Sequence, residues 1–279
     1  MNRFVAVLAA GTAALASGCG RPQGILEIHM PREAAASLAA VHVDRSDGGA
    51  RRLSSSNTME IAILAVPVGA CRVVLGFANS NYQPPTEVAV AEVGVEAGAH
   101  KIVRLGALAF DVDEKLPDLN LAGILVRRTG GGPPLEIELK DFGNTYYFFK
   151  PKPLPQGVYE VAIRYSRSAA PSTVATGVVV TAADTATVKL DSGLVLGKPA
   201  GARVEGWRLT RAGESSPWLQ VSRRADNDEP LWRRVVAPPG TYSLVLVRSG
   251  AAGESAPETL VVAPGGLLTH TPADSPGPP

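Results

Sequence analysis

Leu154-Pro-Gln-Gly-Val-Tyr-Glu-Val-Ala-Ile-Arg-Tyr165 has the wording of a turn that feeds a strand. Pro155 fixes the approach and Gly157 is suited to the positive φ of a tight turn. Tyr159, Val161 and Ile163 then follow at steps of two and share one face, with Glu160 and Arg164 on the other. The phrase occurs twice more, as Val66-Pro-Val-Gly-Ala-Cys-Arg-Val-Val-Leu-Gly-Phe77 and as Ala237-Pro-Pro-Gly-Thr-Tyr-Ser-Leu-Val-Leu-Val-Arg248. The three glycines, Gly69, Gly157 and Gly240, stand 88 and 83 residues apart. Cys71, Tyr159 and Tyr242 occupy one equivalent inward position, so a repeat is expected.

A second landmark keeps the same period. Val95-Glu-Ala-Gly-Ala-His-Lys-Ile-Val-Arg-Leu105 aligns with Val180-Thr-Ala-Ala-Asp-Thr-Ala-Thr-Val-Lys-Leu190 at an offset of 85, and Val262-Ala-Pro-Gly-Gly266 opens a third copy. Each predicts a strand, a turn and a return strand. Repeats of 82–88 residues built from short strands are the size of small β-sandwiches. The only clear helix-favouring window, residues 31–40, is short.

The chain has 279 residues, of which 45% are hydrophobic and 19% charged, a balance that suits a packed protein. Its 27 basic and 26 acidic side chains leave a net charge of +1, so no strong field draws nucleic acid.

The N-terminus is a targeting segment. Arg3 precedes the apolar run Phe4–Leu15, too short to span a bilayer, and the run ends in Leu15-Ala16-Ser17-Gly18-Cys19. These residues resemble the lipobox of bacterial lipoproteins, in which cleavage before a cysteine precedes its acylation. Ala16 departs from the leucine usual at that place, and Leu15 stands one residue early. The resemblance implies that Cys19 is lipidated and holds the chain to a membrane, because several acyl chains anchor stably where one does not. Ordinary cleavage after Ala14-Leu15-Ala16 is the alternative. Gly20 after the cysteine, rather than an aspartate, favours the outer membrane. Once Cys19 is used, Cys71 has no partner for an internal disulfide.

The pattern Pro-x-Gly-x-Tyr, alternating apolars and an apolar strand with an Ala-Gly turn resembles transthyretin-like sandwich modules of the carboxypeptidase-regulatory-like or PEGA type. The likeness covers about 40 residues per copy. It implies spacer, scaffold or binding roles rather than chemistry.

The expected fold is therefore all-β, with three tandem small β-sandwich modules of Ig/transthyretin-like type behind a signal peptide. Composition places the signal at residues 1–18, a tether at 19–24, modules at 25–110, 119–192 and 202–272, and a disordered Pro-rich tail at 273–279. Asp111–Asp118 and Asp191–Gly201 are taken as short linkers of a semi-rigid rod.

Catalytic signatures such as Gly-x-Ser-x-Gly, His-Glu-x-x-His and Cys-x-x-Cys do not occur. No enzyme activity and no cofactor are expected. Cys71 fits an inert core thiol better than a nucleophile. A weak metal candidate joins Glu27 and His29 in Ile25–Met30 with His42 and Asp44 in Ala40–Asp44, if those strands pair antiparallel. All three tryptophans, Trp207, Trp218 and Trp232, lie in the third copy. Trp218 and Trp232 with Arg223 and Arg224 make the candidate partner surface. The Asp226/Asp228 pair is a thin calcium candidate, and Tyr146–Phe149 puts aromatics on both faces of its stretch. The function expected is a scaffold or interaction lipoprotein with an envelope protein partner. Polysaccharide binding through the third module is the alternative.

Overall fold

The computed structural model describes residues 22–45, 53–55, 60–77, 86–111, 121–131, 134–138, 150–165, 168, 170–199, 203–223, 228–249 and 253–273. Within them one seven-strand unit occurs three times. In the first, β1 (Gln23–His29) lies between antiparallel β4 (Ile61–Pro67) and parallel β7 (His100–Arg104). Facing it is a four-stranded sheet in which β2 (Leu38–Arg45), β3 (Leu53–Ser55), β5 (Gly69–Phe77) and β6 (Thr86–Val95) take the order β3-β2-β5-β6. A single helical turn, α1 (Arg32–Ala35), joins β1 to β2.

The second unit repeats this. Strand β8 (Gly106–Asp111) lies between β11 (Lys152–Leu154) and parallel β14 (Thr185–Lys189). Its larger sheet is β10-β9-β12-β13, from β9 (Leu121–Arg128), β10 (Leu135–Glu138), β12 (Gly157–Tyr165) and β13 (Ser172–Val180). In the third, β15 (Gly193–Leu196) lies between β18 (Val235–Val236) and parallel β21 (Leu267–His270). Strands β16 (Val204–Arg211), β17 (Leu219–Ser222), β19 (Gly240–Arg248) and β20 (Glu258–Val262) complete it in the order β17-β16-β19-β20, with a helical turn α2 (Glu229–Trp232) before β18. The described chain is all-β, as the alternating apolar runs predict.

The module boundaries differ from the composition-based ones. Strand β8, expected to close the first module, instead opens the second by pairing with β11 and β14. Strand β15, expected inside a linker, opens the third. Only Leu105 separates β7 from β8, and residues 190–192 separate β14 from β15. The first segment assigned as a linker leads from β8 towards β9 within the second module, its residues 112–118 lying outside the described residues, and the second contains β15 and leads towards β16 within the third. Strand pairing thus runs 23–104, 106–189 and 193–270. The last return strand, β21, is formed as in the other two copies.

The opening phrase makes one of the two inner strands of each larger sheet. Strands β5, β12 and β19 each have nine residues, and Cys71, Tyr159 and Tyr242 are all buried. Each tyrosine hydroxyl donates to a carbonyl four residues upstream, Tyr159 to Pro155 and Tyr242 to Pro238, both at 2.7 Å. The Cys71 thiol reaches the matching Pro67 carbonyl at 3.7 Å, so the first copy keeps the corner with a weaker donor. Gly69 and Gly240 have φ of 127° and 156°. Gly157 does not adopt a positive φ; a Cβ there would stand 2.6 Å from Nε of the flexible Arg128 side chain.

The turn before each return strand also repeats, with Ala99 N, Asp184 N and Gly266 N donating to Glu96, Thr181 and Ala263 carbonyls. Its third residue is left-handed in every copy: Gly98 at φ 69°, Ala183 at 64° and Gly265 at 64°. This is a type II requirement, and Pro264 before Gly265 fits it. Ala183 alone meets it with a Cβ. Ala183→Gly is expected to raise stability by about 1 kcal/mol, read as a higher urea midpoint.

Candidate functional sites

The four weak metal candidates sit on two sheets. Strands β1 and β2 do not pair, because β1 belongs to the three-stranded sheet and β2 to the four-stranded one. His29 therefore does not face His42. What assembles instead is a carboxylate between two imidazoles: His29 Nε2 is 2.5 Å from Glu27 Oε1, and His100 Nε2 is 2.7 Å from Glu27 Oε2. Strand alternation puts residues 27 and 29 on one face, and the parallel pairing of β1 with β7 brings His100 alongside. The hydrogen bond from His29 is the main cause that holds the Glu27 carboxyl below its usual range, with His100 adding to it against partial desolvation. His42 lies 3.7 Å from Glu87 Oε1, and Asp44 faces Arg72 across β2 and β5. Among the described residues no group of three or more His, Cys, Asp or Glu side chains is placed to hold a metal ion.

The third-module aromatics are also placed differently from the expectation. Trp207 is 1% exposed and donates from Nε1 to the Leu231 carbonyl at 2.8 Å, so it is core. Trp218 is half-buried at the contact between the second and third modules. Its Nε1 donates to the Thr173 carbonyl at 3.0 Å, and its own carbonyl accepts from the Ser172 hydroxyl at 2.6 Å. The indole meets Tyr165 of the second module and Tyr242 of the third, with centroids 6.4 and 5.5 Å away. Arg211 stacks over it at 5.2 Å and donates to the Thr173 carbonyl. Tyr165 is fully buried, and its hydroxyl donates to the Val236 carbonyl; burial pushes that phenol well above its usual pKa. These contacts make Trp218 a wedge between modules, not an open partner surface.

Trp232 is half-buried and packs against the core. Arg223 is half-buried and 3.3 Å from Glu205. Arg224 and Asp226 lie outside the described residues, as do Cys19 and the aromatic run 146–149. Asp228 is committed to Lys198 at 2.6 Å, which holds its carboxyl below the usual range. Cys71 is 1% exposed.

Two features carry little sequence signal. One is a cavity of about 500 Å³ between the first two modules, lined by Val88, Val126, Leu135, Leu154 and Tyr159 with Arg72 and Arg128 at its margin. Its position corresponds to the junction that Trp218 fills one module later. The other is Lys152, 1% exposed on β11, whose amine burial draws down to about 7. Leu64 and Val235 hold the same register in the other modules.

No family model matches the chain, and no curated protein matches it. Solved structures resemble it distantly. The Bacillus anthracis TIE protein aligns at 14% identity over 90% of this chain and 50% of that one, with a TM-score of 0.24. The human OSCAR ligand-binding domain aligns at 10% over 87% of this chain and 100% of its own, with a TM-score of 0.19. The chicken CNTN1 FN1-FN3 domains align at 12% over 82% and 90%, with a TM-score of 0.18. The chain spans half the length of the first of these. The all-β assignment rests on strand pairing itself.

Proposed function

We propose that this chain is a non-catalytic, membrane-anchored lipoprotein of the bacterial envelope that works as a scaffold or protein-interaction module. The observation that carries the reading is the threefold seven-strand unit joined almost without linkers, behind the Ala16-Ser-Gly-Cys19 ending of an apolar segment. Where modules meet through Leu105 alone and through a Trp218 wedge, the chain holds a fixed spacing rather than a loose string. A spacer of this kind presents its distal parts away from the anchor. The polysaccharide alternative loses support, because two of its three rings are committed to core and junction.

Cys19→Ser is expected to leave an unprocessed precursor that no longer incorporates labelled palmitate, while the wild-type chain does. Cross-linking in intact envelopes followed by pull-down through the third module then identifies the partner. Normal processing and membrane retention of Cys19→Ser would remove the anchor from this reading.

A further inference from the structure

The outer face of β4-β1-β7 is unlike its counterpart in the second module. Leu26 and Ile28 point into the core, so Ile25, Glu27 and His29 point outward. Register puts Ile63 and Ile102 on either side of Glu27, and Ile61 beside His29. Ile25, Ile61, Ile63 and Ile102 are 45%, 40%, 66% and 44% exposed. At the positions of Ile25, Glu27, His100 and Ile102 the second module carries Ala107, Ala109, Thr185 and Thr187. Four isoleucines on one open sheet face are a contact surface in search of a cover. The single acid among them is not bare, because both Glu27 oxygens are held by imidazoles.

We propose that this isoleucine face rests on the bilayer to which Cys19 is tethered, which sets the tilt of the module array on the membrane. The inference rests on the lipoprotein reading above. Its argument is the tether: β1, the central strand of this face, starts four residues after Cys19. That chain spans at most about 14 Å. A sheet so close to the headgroups must turn some face toward them, and this one is apolar at its centre, with Arg104 on the same face beside His29. Burial of the isoleucines at the headgroup boundary gains apolar transfer energy, and the arginine suits anionic lipid. The second and third modules, beyond the tether's reach, stay in water.

The test uses the full chain purified from envelopes with its own N-terminus, carrying Ile63→Cys and an environment-sensitive dye. Cys71 is buried and does not compete for the dye. The protein is reconstituted into phosphatidylethanolamine/phosphatidylglycerol vesicles with brominated acyl chains. Emission from position 63 is expected to fall at least about two-fold, as for a group about 5–10 Å into the boundary. Matched probes at Val179→Cys and Val261→Cys, sites 59% and 62% exposed in the other modules, are expected to keep theirs. A probe at 63 that bromine leaves unquenched, on protein still bound to the vesicles, overturns the proposal and leaves the anchor intact. Cross-linking between two copies through position 63 would then identify a second chain as the cover. An N-terminal peptide without acyl mass removes the anchor, and the proposal falls with it.

Discussion

Lys152→Leu is expected to stabilise the protein at neutral pH by several kcal/mol and to flatten its stability between pH 7 and 9.5. The register supports the first part, since Leu64 and Val235 fill this position in the sister modules. The second part follows from proton linkage. In the unfolded chain the amine keeps its ordinary value of 10.5, whereas in the folded chain it is about 7. Between those values the unfolded state binds more protons, so folding becomes more favourable as pH rises. Below about 7 the amine is charged in both states and the penalty is fully present. From pH 7 to 9.5 the wild-type gain from this group is about 3 kcal/mol. Taking the difference between wild type and Lys152→Leu in urea titrations at each pH cancels the tyrosines, which ionise in both chains. Parallel stability curves for the two proteins would mean that the amine is charged in the fold.

The second large effect concerns the corner tyrosines. Tyr159→Ala and Tyr242→Ala are each expected to cost about 3–5 kcal/mol, as truncations of buried aromatics do. Tyr159→Phe and Tyr242→Phe lose only the hydroxyl's bond to the proline carbonyl, about 1 kcal/mol. Tyr242→Ala further strips the ring that meets Trp218, so it is expected to raise amide exchange in the second module as well as the third. Tyr159 has no such indole contact, and its exchange effect is expected to stay within its own module. Near-wild-type urea midpoints for both alanine variants would contradict the shared corner.

The repeated phrase was legible because it combines two independent codes: proline and glycine at a turn, then alternation. The boundaries were not. Strand β15 has four residues between small, turn-forming neighbours, and local composition gives it the look of a linker. Strand β8 continues from β7 through one leucine, and only its pairings with β11 and β14, far along the chain, assign it. The same distance hid the Glu27–His100 contact, since β7 returns to β1 after more than 70 residues. Pairing β1 with β2 assumed a hairpin, but these neighbours cross between sheets. In Lys152-Pro-Leu154 a lysine beside a proline looks like surface, because three residues are too few to show alternation. Trp218 follows Ser215-Ser-Pro217, which reads as open loop; its burial depends on a neighbouring module.

The chemistry of residue 19 decides whether the chain is held to a membrane. Mass spectrometry of the N-terminal peptide from envelope-purified protein is expected to show a chain that begins at Cys19 and carries acyl groups on it. An unmodified peptide that begins at Ser17 would contradict the account, because it would describe a released protein with no hold on the membrane.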